Sequence, residues 1–176
     1  MDATEYLRHW EKNAVWTHYR WPKHQKRFRM VASMCEGDNC ADVGCGFGHS
    51  TRILDRLFPA AWTGVEFNQE AAKRAKRTFP KYQFEYCPSG RQLRQIGPFD
   101  TVVCSEVIEH VEDDRAFVDE LVRAARIKVV LSTPNIFVDD PGHLRVYTMA
   151  TLEDLLSGYK HTIKSIGGFF YLEVIR

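Results

Sequence analysis

From residue 39 onward the chain alternates between two periods. Short runs in which most positions are apolar or β-branched stand at 40–44 (CADVG), 62–66 (WTGVE), 83–87 (QFEYC), 100–105 (DTVVCS) and 128–133 (KVVLST). Between them lie stretches whose apolar residues recur three and four positions apart. The runs predict strands and the stretches predict helices, over about 50–58, 68–79 with Asn68 as cap, and 113–126. Pro59, Pro80 and Pro134 punctuate their ends. A further helix is expected to open at Thr148 or Thr151, followed by closing strands at about 161–166 and 169–175, broken by Gly167-Gly168. Strand and helix in alternation predict an α/β fold: a doubly wound, mostly parallel sheet of about seven strands, the last antiparallel, with helices on both faces.

Residues 1–38 precede the first strand and read as two helices carrying Tyr6, Trp10, Trp16, Tyr19 and Trp21. The 176 residues suit one domain, so this segment is expected to serve the domain at 39–176 rather than to fold apart from it.

Charge narrows the partners only locally. Twenty-four basic side chains nearly cancel twenty-three acidic ones, so no global field announces nucleic acid or membrane. Residues 1–34 carry seven Lys or Arg against three acids, while residues 105–120 carry seven acids against Arg115 alone. Five cysteines without a C-x-x-C pair point to a reduced, cytoplasmic protein. No apolar run reaches the roughly 20 residues that span a bilayer, so no membrane association is expected.

The segment ADVGCGFGHS places Gly44, Gly46 and Gly48 at the C-terminal end of the first strand, just before a helix, where open α/β sheets bind ligands. Twenty residues after Gly46 stands Glu66, at the end of the second strand, where a carboxylate can accept from both hydroxyls of a ribose. A dinucleotide site requires G-x-G-x-x-G, but position 49 is His49. What stands instead is D-x-G-x-G-x-G, which resembles the class I S-adenosylmethionine-dependent methyltransferases, over about residues 38–175. The resemblance implies a Rossmann-like sheet with S-adenosylmethionine as cofactor. It implies that Asp42 and the backbone of Gly44, Cys45, Gly46 and Gly48 hold the methionine end, that Glu66 holds the ribose and that Phe67 lies against adenine. Many members carry an acid after the third strand; here Cys87-Pro88-Ser89-Gly90 stands in its place, and Ser89 or backbone must substitute.

FDTVVCSEVIEHVEDD resembles the family's fourth-strand segment, which implies that Cys104, Ser105 and Glu106 border cofactor and substrate. Glu106, Glu109 and His110, spaced i, i+3 and i+4, would share a face if a helical turn forms, and His143 follows the fifth strand. Glu106, His110 and His143 are the candidate bases. Two resemblances compete. One is to metal-dependent small-RNA 3′-terminal 2′-O-methyltransferases, which implies that Glu106, Glu109, His110 and His143 bind a divalent ion such as magnesium or manganese. The other is to small-molecule methyltransferases of the ubiquinone-biosynthesis type, which carry E-V-x-E-H-V, S-T-P-N and a histidine before an aromatic-Thr pair. Glu106–Val111, Ser132–Asn135 and His143–Thr148 reproduce that set, and it implies a small-molecule acceptor methylated on oxygen, nitrogen or carbon.

In many relatives the leading segment covers the acceptor, which makes Trp10 and Tyr19 candidate stacking partners, with Tyr147 lining the same site; core packing is the alternative. The run KHQKRFR (23–29) and the basic residues of the second core helix could steer a polyanion or simply face water. A third reading, from another class, is a catalytically silent cofactor-binding partner module.

Overall fold

The computed structural model describes residues 3–12, 15–89, 92–140 and 142–176, and the side chains of Tyr6, Trp10 and Trp16 lie outside what it describes. Seven strands form one sheet: β1 (Asn39–Val43), β2 (Ala61–Glu66), β3 (Gln83–Tyr86), β4 (Phe99–Ser105), β5 (Ala125–Pro134), β6 (Lys160–Ile166) and β7 (Phe169–Ile175). Their order is β3-β2-β1-β4-β5-β7-β6, with β1 to β5 parallel and β7 antiparallel to both neighbours. The expected Rossmann-like topology holds, including the single reversed strand at the end of the chain.

The apolar runs read as continuous because both faces of the sheet are covered. Val102, Cys104, Val129 and Leu131 join one core, whereas Val103 and Val130 join the other. Neighbouring residues of a strand point to opposite faces, so a strand buried on both sides shows no polar alternation. The helices are α1 (Ala3–Lys12), α2 (Pro22–Met34), α3 (His49–Leu57), α4 (Gln69–Thr78), α5 (Leu93–Ile96), α6 (Asp114–Ala124) and α7 (Met149–Leu155), with 3-10 turns at Val15–Arg20 and Ile108–His110. Helix α2 packs Phe28, Val31 and Ala32 into the core that Leu54 of α3 and Trp62 of β2 share, and α6 and α7 place Leu121 and Leu152 in the opposite one.

Local chemistry fixes most helix starts. Asn68 caps α4 by accepting from the amides of Glu70 and Ala71, as the sequence predicts, and Asp113 caps α6 through the amide of Ala116. Between the two threonines proposed for α7, Thr148 is the cap, and Thr151 answers it from three residues on. One boundary differs: the helix expected to reach residue 126 stops at Ala124, because Ala125 already pairs with Phe99 of β4. A ladder position beside the central sheet outweighs the helical preference of two residues.

The order of strands reverses direction between β1 and β4. That switch point is where the crevice beyond the carboxyl ends opens, and the ends of β1, β2, β4 and β5 all feed it.

Candidate active site

A cavity of about 1090 Å³ opens there, walled by Asp42 and Gly44 after β1, Glu66 and Phe67 after β2, Ser105 and Glu106 after β4, and Pro134 after β5. Pro88 and Ser89 close one side, and Tyr19, Trp21 and Arg27 another.

Both buried carboxylates are tied down. Asp42, which lines the cavity, accepts from Ser50 Oγ at 2.6 Å and Thr51 Oγ1 at 2.7 Å, both on Oδ2. Burial raises its pKa, opposed by those two hydroxyls. Glu66 accepts from the amide of Gly46 at 2.7 Å on one oxygen and from the amide of Asn68 at 2.9 Å on the other. Burial pushes this carboxyl up to about 7, against the pull of the amides of Asn68 and Gly46.

The glycine loop works differently from its expected role. The amides of Gly44 and Cys45 donate to Val65 O, that of Gly46 to Glu66, and that of Gly48 to Cys45 O. Of these four residues Gly44 alone lines the cavity. Cys45, Gly46 and Gly48 therefore shape the site from behind instead of presenting N–H groups to a ligand. The physical reason is curvature: Gly44, Gly46 and Gly48 have φ of 79°, 55° and 82°, a left-handed path that turns their amides onto Val65 O, the Glu66 carboxylate and Cys45 O.

At the end of β4 the chain is strained. Glu106 has φ of 60°, and no other non-glycine among the described residues has a positive φ. The 3-10 turn starts only at Ile108, so Glu106 does not share a face with Glu109 and His110. Its carboxylate instead pairs with Arg27 at 3.0 Å and accepts from Ser132 Oγ at 3.4 Å. Burial still raises its pKa, with Arg27 opposing. Ser105 Oγ lies 2.6 Å from Ser132 Oγ.

The expected four-ligand set is therefore corrected to three. Ligand atoms of Glu109, His110 and His143 lie within 4.8 Å of one another, with Glu106 outside the group. Glu109 is buried; Oε2 accepts from Thr133 at 3.1 Å, and Oε1 has no hydrogen-bond partner. Burial and the charge of Glu106 hold its pKa well up. His110 and His143 meet edge to face, centroids 4.6 Å apart. His110 Nδ1 lies 2.9 Å from the carbonyl of Gly142, so Nδ1 carries a proton. Burial lowers the pKa of His143, and both imidazoles line the cavity.

Tyr147 does not belong to the site. Its hydroxyl donates to Asp114 Oδ2 at 2.7 Å and the ring is buried in the core beneath α6, away from the cavity. Tyr147→Phe is expected to lower stability by about 1.5–3 kcal/mol, the contribution of a hydrogen bond to a charged group. Thermal melts should show the loss while ligand binding in the cavity stays unchanged.

The residue that sequence reasoning missed is Arg27. It sits inside KHQKRFR, which reads as a solvated basic run, yet only 5 % of it is exposed. Its guanidinium lies over the rings of Phe28 and Phe169 at 4.9 and 5.3 Å, and its buried Nε has no partner. The signal was present: Arg27 and Val31, four apart, fall on the inward face of α2. Phe117 was missed too; it stands edge-on to Phe67 at 5.8 Å. Of the two aromatics expected to stack, Tyr19 lines the cavity and stacks on His49, and the Trp10 side chain lies outside the described residues. These surroundings fit S-adenosylmethionine: buried acids for its cationic and diol groups, a buried cation for its carboxylate, and a phenylalanine pair for its base.

Residues 41–131 match a family model described as a methyltransferase domain. A probable S-adenosylmethionine-dependent methyltransferase of Mycolicibacterium smegmatis is 24 % identical over 163 residues, covering 87 % of this chain and 63 % of that protein. The 2-methyl-6-phytyl-1,4-hydroquinone methyltransferase of Synechocystis is 29 % identical over 139 residues, covering 76 % of this chain and 44 % of that protein. The chain thus spans less than two thirds of either relative. Among solved structures, magnesium protoporphyrin IX methyltransferase from Synechocystis with bound S-adenosylmethionine superposes with a TM-score of 0.70 at 17 % identity, over 100 % of this chain and 98 % of that one.

Proposed function

The chain belongs to the methyltransferase-domain family, and from that premise we propose that it transfers a methyl group from S-adenosylmethionine to a nucleophile on a small-molecule acceptor. One observation carries the reading: a single cavity joins Asp42, Glu66 and Phe67 at one end to Glu106, His110 and His143 at the other. Its 1090 Å³ exceeds what a drug-sized ligand commonly fills, which leaves room for two molecules side by side.

S-adenosylmethionine supplies a methyl group already activated by its sulfonium. The protein's part is to hold, align and keep water out. Glu66 is the ribose acceptor, Phe67 and Phe117 flank the base with Ser89 at its edge, and Asp42, Ser105 and the Gly44 backbone bound the methionine end. Arg27 supplies a cation for the cofactor's carboxylate. His110 Nε2 can take a proton from an acceptor hydroxyl, with His143 at its edge, and Glu106 is the alternative base. Tyr19, Trp21 and α2 close the acceptor side, α2 doing so as part of the core. The acceptors in the names of the two Synechocystis proteins, a hydroquinone and magnesium protoporphyrin IX, are ring systems, which suits the aromatic wall. The cysteines are unbridged, in keeping with the cytoplasm.

The experiment is calorimetry followed by transfer of labelled methyl to hydroquinone and phenol acceptors, with and without EDTA. Heat with S-adenosylmethionine and its demethylated product, none with NAD, and transfer that survives EDTA are expected. Absence of heat on folded protein removes the proposal. Binding without transfer to any acceptor leaves the silent module.

The second reading, a metal-dependent RNA 3′-terminal 2′-O-methyltransferase, is favoured by the gathering of Glu109, His110 and His143 and by the unpartnered Glu109 Oε1. In that case magnesium or manganese sits on those three residues. EDTA then abolishes transfer, and RNA ends with free terminal hydroxyls become the acceptor.

A further inference from the structure

We infer that the rim of this cavity docks on an anionic lipid surface. Exposed apolar side chains scattered one by one need no explanation, but a contiguous group does. Among the described residues, Ile136, Phe137 and Val138 are consecutive and exposed, Phe137 by 77 % and Ile136 by 57 %. They follow the end of β5, and Ile136 and Val138 line the cavity. Exposed Trp21 lines it from the start of α2, Leu144 is next to the lining residue His143, and Ile166 is next to the lining residue Gly167. Two separate segments, at Trp21 and at 136–138, thus bring large apolar groups to one opening.

Charge identifies the occupant. Lys23 lines the same cavity, and Lys26 and Arg29 continue from it along α2 at three-residue spacing, all exposed. The loop's own acids, Asp139 and Asp140, oppose this charge, so α2 and not the loop supplies the attraction. An aromatic–aliphatic ring beside a row of cations matches a bilayer's interface, where apolar groups enter the acyl boundary and Lys and Arg stay with anionic headgroups. No described helix is long and apolar enough to cross a membrane, so the contact is peripheral. An acceptor dissolved in the bilayer would then reach His110 and His143 without passing through water.

Vesicle flotation tests this with the full chain and no methyl donor, so it stands or falls apart from the proposed reaction. The chain is expected to float with phosphatidylcholine vesicles holding about 30 % phosphatidylglycerol, to bind pure phosphatidylcholine weakly, and to lose binding at about 0.5 M salt. Phe137→Ser and Lys26→Glu each cut the bound fraction by about fivefold, while circular dichroism and S-adenosylhomocysteine binding stay as in the parent, because both residues are exposed and neither lines the cavity. Three outcomes overturn the inference. The parent stays unbound to both vesicles at low salt, the two variants float as the parent does, or the parent sediments as a dimer that Phe137→Ser converts to monomer.

Discussion

Glu66→Ala should weaken S-adenosylhomocysteine binding by about 100-fold or more, because in the proposed role two ribose hydroxyls lose an ionised acceptor at about 1.5–3 kcal/mol each. The same change frees the amides of Gly46 and Asn68, so the loop that shapes the cavity also loses its anchor. Calorimetry at a fixed pH measures the first effect, and hydrogen exchange at Gly46 the second. A parent-like affinity would remove Glu66 from the site.

The pH dependence has a definite sign. A carboxyl raised to about 7 by burial favours the folded state while it is protonated in both states. That contribution is complete below the ordinary glutamate range near 4.3 and is lost as pH rises through about 7. Ribose binding needs the ionised form, so affinity should climb over the same upper interval and level off above it. Glu66→Gln should flatten this climb, and an unchanged profile would assign it to another group.

Gly48→Ala is expected to cost about 3 kcal/mol of stability, seen as a fall in Tm of about 6–12 °C, from left-handed strain and overpacking together. At φ of 82° an L residue is strained whatever its surroundings, and here a Cβ would stand 2.6 Å from Phe84 Cζ. The ring cannot retreat easily, since a Cβ on Gly64 would meet it at 2.4 Å. Phe84 fills the space that two glycines on different elements leave, with Cys45 and Ala75 beside it. A melting temperature within a degree or two of the parent would show that the ring has room to move.

That clamp explains how the glycine pattern could be legible while its use was not. D-x-G-x-G-x-G signals a backbone that turns tightly and packs closely, which is what Gly44 and Gly48 do. It does not say whether the turned amides face a ligand or the protein itself, and here they are spent on Val65 O, the Glu66 carboxylate and Cys45 O. Likewise the i, i+3, i+4 spacing of Glu106, Glu109 and His110 assumes a helix that begins two residues later than Glu106. The salt bridge to Arg27 joins residues 79 positions apart, beyond the reach of any local period.

Local properties of the chain determined the strands, the cap at Asn68, the reversed last strand and the glycine turn at the end of β1, because period, capping chemistry and glycine spacing act within a few residues. Tertiary structure alone decided that Arg27 is buried against Phe28 and Phe169, that Tyr147 spends its hydroxyl on Asp114, and that Glu109 joins His110 and His143 without Glu106. Those outcomes depend on which distant groups are pressed together when water is expelled. In a low-dielectric interior the available partner, not the residue type, sets where a charge comes to rest.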